Sequence, residues 1–129
     1  MVERVLLIGL GGGLGSIARY LTALAAARWL GLEFPYGTLI VNVVGAFLIG
    51  LVQELALDSL LVPESMRLFL VTGVLGGFTT YSAFSYETVR LVQMEAWGRA
   101  IVNVGLTTTV CLILCVIGMA AGRALRGHI

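Results

Sequence analysis

The chain has 129 residues, of which 59% are hydrophobic and only 12% are charged, and its mean hydropathy is +1.02. Soluble domains have roughly 45–50% apolar and about 25% charged residues, so this composition predicts an integral membrane protein that lies in a lipid bilayer. The net charge is +1 and all eight basic residues are scattered arginines. This pattern excludes a basic surface for nucleic acid.

Four apolar segments follow one another in chain order, at about 5–27, 37–56, 66–92 and 100–121. Each is close to the ~20 predominantly apolar residues that a helix needs to cross a bilayer. Pro35 and Pro63 fall in the connections, where helix starts tolerate proline. The sequence shows no linker or internal repeat. It therefore predicts one all-α membrane domain over residues 1–129, with four transmembrane helices.

The first segment is rich in glycine between Gly9 and Gly15 and contains one arginine, Arg19. Gly13-x-Gly15-x-x-Ala18 matches the dinucleotide fingerprint, but no strand–helix–strand pattern surrounds it, so close helix packing through small residues is favoured. Arg19 has two interpretations. It either extends to the membrane interface, or faces the interior and binds the carbonyl ends of a broken helix or attracts anions.

The second segment, GTLIVNVVGAFLIG, contains a single amide side chain, Asn42, near its start. An asparagine at this position either forms a hydrogen bond between helices or lines a polar pathway. Both interpretations stay open from the sequence.

Arginines that flank the four segments are almost equally divided between the two sides of a membrane. Since an excess of such residues sets orientation, the near balance is either noise in a small count or a sign of dual topology, with inverted copies pairing around a site near the midplane. A four-helix unit is also small for enclosing a pathway, and both points favour a dimer. The side of the termini has Arg4, Arg67, Arg123 and Arg126, and the opposite side has Arg28, Arg90 and Arg99.

The third segment contains TGVLGGFTTYSAFSYET, which has many polar groups for a membrane helix. Gly76 and Gly77 permit unusual backbone angles, and the hydroxyls that follow can cap free N–H groups, so we predict a break in this helix. The alternative is an intact helix with glycines at packing contacts. At a break, carbonyl groups can hold a Na⁺-like cation and N–H groups favour anions.

Beyond the predicted break, Tyr81, Phe84 and Thr88 share one helical face, and Ser82 lies on a neighbouring face. Aromatic residues at this spacing often serve packing alone. Their positive ring edges can also face an anion, while hydroxyl groups replace part of its water shell. Glu87 is spaced to pair with the arginine three residues later. No other span has a central acidic residue, which argues against a proton-coupled pump.

These motifs, together with GGGLGSIARY, resemble the small bacterial fluoride channels of the Fluc/CrcB family over nearly the whole chain. The resemblance implies four membrane helices, the third broken, in an antiparallel dual-topology homodimer of the bacterial inner membrane. It implies a passive, fluoride-selective channel that exports cytoplasmic fluoride down its gradient and reduces fluoride toxicity, and not an enzyme.

The family's functional positions map onto this sequence by motif. The resemblance places Asn42, Tyr81, Ser82 and Phe84 along the fluoride pathway. It also implies a structural Na⁺ at the dimer centre, held by backbone carbonyls, and two charged motif positions. The carbonyls are those of Gly76 and Thr79, and the charged residues are Arg19 and Glu87.

The sequence departs from the family pattern at three positions. Tyr81 stands where the family usually has Phe, and Asn103 and Cys111 stand where it often has Tyr and Ser. Thr107 is therefore our candidate for the polar track on the fourth helix. A rival hypothesis is a proton-coupled exporter of small organic cations, which requires a carboxylate inside the first span; residues 5–27 contain none.

Overall fold

The computed structural model describes residues 1–128, and every regular element in that range is helical. The prediction of an all-α chain is confirmed. The third predicted segment consists of four consecutive elements, one of them a π-helix, which we name π1. In chain order the elements are α1 (Val2–Leu30), α2 (Tyr36–Leu55), α3 (Glu64–Arg67), π1 (Leu68–Leu75), α4 (Gly76–Phe78), α5 (Tyr81–Gln93) and α6 (Trp97–Gly127).

Within residues 1–128, four helical stretches are long and apolar enough to cross a membrane, as predicted: α1, α2, the stretch Glu64–Gln93 and α6. We call Glu64–Gln93 the third span. The shortest of the four, α2, has 20 residues, which at about 1.5 Å per residue covers a hydrocarbon core of about 30 Å. The helices α1 and α6, with 29 and 31 residues, extend past both ends of the predicted segments. Their extra turns carry residues such as Arg28 and Arg126 that a hydropathy pattern excludes, although the backbone stays helical.

Short connections join the spans and contain the backbone irregularities. Gly31 ends α1 with φ +89°, a left-handed angle that a side chain at this position would strain. Pro35 and Pro63 directly precede α2 and α3, as expected of residues that lack a backbone N–H.

Glycines bring the helix backbones into close contact. The Gly-rich part of α1 is helical throughout, which excludes the strand and turn of a dinucleotide fold, and it packs on the third span. A Cβ atom on Gly15 would collide with the Val74 carbonyl oxygen, and one on Gly77 would collide with the Gly12 carbonyl oxygen. The interpretation as small packing residues is therefore confirmed for Gly11 and Gly15, whereas Gly9 and Gly13 face open space.

The second close pair is formed by α2 and α6, which pack side by side along most of α2. Gly118 lies against the backbone of Phe47, and Gly122 lies against Glu54, so the two helices run parallel. Much of the outer surface stays apolar and exposed, for example Leu10 at 65% and Ile101 at 69%. Such a surface fits lipid or another protein chain rather than water.

Candidate functional site

The helical backbone is interrupted at two residues of the third span. α4 ends at Phe78, Thr79 and Thr80 have extended backbone angles, and α5 begins at Tyr81. The Thr80 hydroxyl accepts a hydrogen bond from the Ala83 amide at 3.1 Å and so caps the start of α5. We call Thr79 and Thr80 the interruption. It removes the regular hydrogen bonds of the peptide groups on both sides, which must find other partners.

Asn42 of α2 pairs with the backbone of the interruption through both ends of its amide. Its Nδ2 donates to the Thr80 carbonyl oxygen at 3.1 Å, and its Oδ1 accepts from the Thr80 amide at 2.8 Å. Thr80 is buried at 8% exposure, so water gives little compensation for a lost bond. The interhelical hydrogen bond that the sequence left open for Asn42 is thus present. One N–H of the Asn42 amide remains available for another acceptor.

Arg19 of α1 faces the protein interior. Its Nε donates to the carbonyl oxygen of Gly77 at 3.0 Å, just before the interruption. Because Tyr81 starts a new helix, the Gly77 carbonyl lacks the usual partner four residues later, and the guanidinium replaces it. Of the two environments that the sequence left open, the structure shows the one in which Arg19 binds a carbonyl of the third span.

A groove of about 360 Å³ lies beside the interruption, between α2, α5 and α6. The rings of Tyr81 and Phe84 lie next to each other in it, with centroids 5.6 Å apart and planes tilted by 51°. Four of the five predicted pathway residues line this groove. Its lining comprises Asn42, Thr79, Thr80, Tyr81, Phe84, Thr107, Thr108, Cys111 and Leu112.

Ser82, the fifth predicted pathway residue, is not part of the groove wall. Its side chain is exposed, and its Oγ lies 3.2 Å from the Thr80 Oγ1. Tyr81 is also 80% exposed. Tyr81 in the groove wall and its chain neighbour Ser82 therefore form an exposed edge that the single chain does not cover.

A buried hydrogen-bond chain runs behind the groove and connects α6 to α5. The Thr107 hydroxyl donates to Asn103 Oδ1 at 3.4 Å, Asn103 Nδ2 donates to Thr88 Oγ1 at 2.9 Å, and the Thr88 hydroxyl donates to the Phe84 carbonyl at 2.7 Å. Asn103 is only 1% exposed. The sequence singled out each of these residues, but it did not show that they form one network.

A second cavity, of about 350 Å³, lies on the other side of Thr80 and is lined by Arg19 and Glu87 among others. Glu87 Oε1 accepts a hydrogen bond from the Thr38 hydroxyl at 2.9 Å. The predicted ion pair of Glu87 with Arg90 is wrong: among residues 1–128, Arg90 has no ion pair and instead donates to Gln93 at 3.5 Å. Glu87 bonds Thr38 of α2 instead, because its side chain points across the cavity rather than along α5.

A charged cluster that was not expected from the sequence lies at the ends of α2 and α6. Glu54 is buried, with a side chain 8% exposed, and its carboxylate lies 3.2 Å from Arg123 Nε and 3.5 Å from Arg126 Nη2. Arg126 also donates to the Glu54 backbone carbonyl at 3.2 Å. No sequence spacing indicates this cluster, since it depends on the parallel packing of the two helices.

Side chains that bind metal ions are not grouped anywhere in the described range: residues 1–128 contain no cluster of three or more His, Cys, Asp or Glu. The oxygen ligands available at the interruption are carbonyls. The Thr80 amide, which would close a helical turn onto Gly76, instead bonds Asn42. The Ala83 amide, which would reach Thr79, instead bonds the Thr80 hydroxyl. The carbonyls of Gly76 and Thr79 are thereby left without these helical partners.

Comparison with known proteins decides the family. The model of the family described as "CrcB-like protein, Camphor Resistance (CrcB)" matches residues 6–119. The chain belongs to this family. The match includes Asn42, the interruption and the groove residues of α6, and it confirms the resemblance seen in the sequence motifs.

Relatives in the CrcB family match over almost the full length of the chain. A protein named fluoride-specific ion channel FluC from Sorangium cellulosum (strain So ce56) is 47% identical over 124 residues, which cover 96% of this chain and 98% of the relative. Proteins of the same name from Geobacter metallireducens and Clostridium perfringens (strain 13 / Type A) are 48% and 46% identical over 121 and 120 residues. These alignments cover 94% and 93% of this chain, and 98% and 94% of the relatives.

Proposed function

We propose that this protein is a passive channel, not an enzyme, that lets fluoride leave the cytoplasm down its gradient and so reduces fluoride toxicity. The observation that carries the proposal is the groove beside the interruption, which gathers Asn42, Tyr81, Phe84 and Thr107. The name of the relatives, fluoride-specific ion channel, fits a groove whose wall combines ring edges with amide and hydroxyl groups.

The groove supplies the contacts that a dehydrated fluoride ion needs. One N–H of Asn42 is not used by Thr80 and can donate to an anion. The edges of the Tyr81 and Phe84 rings are electropositive and offer no proton for transfer. Thr107 lines the same groove and can add a hydroxyl donor, and the hydroxyl of Ser82, outside the groove wall, would add another to the pathway in the dimer. A narrow path of this kind excludes larger, weakly hydrated anions by size.

The functional unit in this proposal is an antiparallel, dual-topology homodimer. Tyr81 in the groove wall and its chain neighbour Ser82 form an exposed edge, and polar groups exposed to lipid are costly. A second, inverted copy would cover this edge and complete two parallel pathways. The nearly equal arginine counts on the two sides of the spans are consistent with insertion in both orientations.

In the same dimer, the interruption would act as the break of the third membrane helix and bind a structural Na⁺. The carbonyls of Gly76 and Thr79 are hard oxygen ligands that fit such an ion, since the bonds of Asn42 and Thr80 leave them without helical partners. Two carbonyls from each copy would meet at the dimer centre. The ion would supply positive charge that holds the two interruptions together. Arg19 and Glu87 would serve as charges at the entrance of the pathway.

The location that fits this activity is the bacterial inner membrane, which separates the cytoplasm from the outside and which a chain with four spans can cross repeatedly. The runner-up function, proton-coupled export of organic cations, is disfavoured by α1. Its only acidic residue, Glu3, lies in the first turn of the helix and outside the predicted apolar core.

The deciding experiment is fluoride efflux from liposomes that contain the purified protein. Fluoride-loaded vesicles are diluted into fluoride-free buffer with a potassium ionophore present, and external fluoride is followed with an electrode. We expect rapid efflux of fluoride and none of chloride. Efflux no faster than from empty liposomes would reject the proposal, and equal chloride efflux would reject selectivity.

The role of the ring is tested by Phe84→Ile, which removes the positive ring edge but keeps an apolar side chain. Fluoride efflux is expected to fall while the protein still elutes as a dimer. Efflux at the wild-type rate would exclude Phe84 from the pathway wall.

Orientation is tested in a background without the native thiols of Cys111 and Cys115, with a reporter thiol at Ser59 in the exposed loop after α2. In intact spheroplasts, a membrane-impermeant maleimide should label about half of the copies if both orientations are inserted. Complete labelling, or none at all, would contradict dual topology.

A further inference from the structure

We infer that Asn103 is a positioning residue that decides where the proton of the Thr107 hydroxyl points, and thereby whether the groove can offer that proton to fluoride. The inference rests on the proposed function. It assigns a role to a residue that lies behind the groove wall, that is 1% exposed, and that does not itself line the groove.

The orientation of the Asn103 amide is determined by its neighbour on α5. The Thr88 hydroxyl has one proton, and it donates that proton to the Phe84 carbonyl at 2.7 Å. Thr88 Oγ1 can therefore only accept from Asn103, which must present its Nδ2 side at 2.9 Å. Consequently Oδ1 points the opposite way, toward Thr107. A flipped amide would place two acceptors against each other in a buried site.

Thr107 then has a proton that is directed away from the groove but weakly held. Its hydroxyl donates to Asn103 Oδ1 at 3.4 Å, longer than the 2.5–3.0 Å usual for O–H···O hydrogen bonds. An anion in the groove can attract this proton at small cost, since little bonding to Oδ1 is lost. Without an acceptor at position 103, the hydroxyl would instead bond the carbonyl four residues earlier on its own helix, as threonines in membrane helices commonly do.

The test compares fluoride efflux of Asn103→Leu, Thr107→Val and the double variant in liposomes. Loss of one hydrogen bond of about 1 kcal/mol corresponds to about a fivefold lower rate, which we expect for each single variant. Because both changes remove the same donor, the double variant should also show about a fivefold loss. Independent roles would multiply to about 25-fold.

Thr108→Val is the matched control, since Thr108 also lines the groove but, within residues 1–128, its hydroxyl has no hydrogen bond to Asn103. The fold loss of efflux rate in Thr108→Val should multiply with that of Asn103→Leu in the variant that carries both changes. If Asn103→Leu does not elute as a single species, Thr88→Val replaces it, because this variant removes the partner that orients the amide. It should show the same lack of additivity with Thr107→Val.

The possible results separate the two proposals. The positioning role is supported if the wild-type protein conducts fluoride and the double variant loses no more of the efflux rate than either single variant. The inference is overturned if the wild-type protein conducts fluoride but the losses of the two single variants multiply in the double variant. It is also overturned if Asn103→Leu conducts at the wild-type rate. In both cases the channel function stands. Absence of efflux from the wild type overturns the channel function, and the inference with it.

Discussion

Replacing Asn42 by leucine tests how the interruption of the third span is stabilised. Leucine has the same branching and the same number of side-chain heavy atoms as asparagine but can neither donate nor accept a hydrogen bond. The substitution would leave both the N–H and the carbonyl of Thr80 without the partners they have at 2.8 and 3.1 Å. Because Thr80 is only 8% exposed, water would not readily take over either bond.

The expected loss of unfolding free energy follows from the number and type of these bonds. Hydrogen bonds between side chains of membrane helices average about 0.6 kcal/mol, because the unfolded state also finds partners. The Asn42 bonds serve peptide groups that have no helical alternative, so the higher value of about 1–2 kcal/mol for each group left unsatisfied applies. Two such groups give about 2–4 kcal/mol, a large share of a typical stability of 5–15 kcal/mol.

Reversible unfolding in mixed micelles, followed by tryptophan fluorescence, measures this loss. Thr22→Val is the matched control, since among the described residues 1–128 its hydroxyl bonds only the Ala18 carbonyl of its own helix, on an exposed face. We expect the control to change stability by less than about 0.5 kcal/mol. A loss below about 1 kcal/mol for Asn42→Leu would refute the view that this amide holds the interruption in place.

Three further substitutions test the packing and the polar contacts. Gly15→Ala should cost about 1–3 kcal/mol, because a methyl group there meets the backbone of the third span; Gly13→Ala, in open space, should be nearly neutral in the same unfolding assay. Glu54→Gln should lower the free energy of unfolding by about 1–2 kcal/mol, because it weakens the contacts with two arginines. Glu64→Gln, in an exposed pair, should cost less than about 1 kcal/mol, and equal melting temperatures for the two variants would contradict this difference. Arg19→Met should lose about 1.5–3 kcal/mol by leaving the carbonyl that precedes the interruption unpaired, and a wild-type melting temperature would show that this bond does not matter.

Much of the site could be predicted because the decisive signals are local. Hydropathy predicts the four spans. Gly76 and Gly77, which were expected to permit unusual backbone angles, are helical, and the residues with extended backbone angles are Thr79 and Thr80. The motifs also identified Asn42, Tyr81, Phe84 and Thr107, which the structure gathers in one groove. Prediction failed for Glu87, whose spacing along the helix indicated Arg90 as partner. Glu87 bonds Thr38 of another helix, and the sequence does not show which residues of other helices lie within reach of a side chain.

The sequence by itself determined the class of protein, the number of spans and the family, since composition, segment length and continuous motifs are properties of neighbouring residues. Only the tertiary structure decided which distant groups meet. Asn42 and Thr80 are 38 positions apart, Arg19 and Gly77 are 58 apart, and Glu54 and Arg126 are 72 apart. The physical reason is that each of these bonds depends on which faces of two helices pack together, and glycine contacts at backbone distance set that packing.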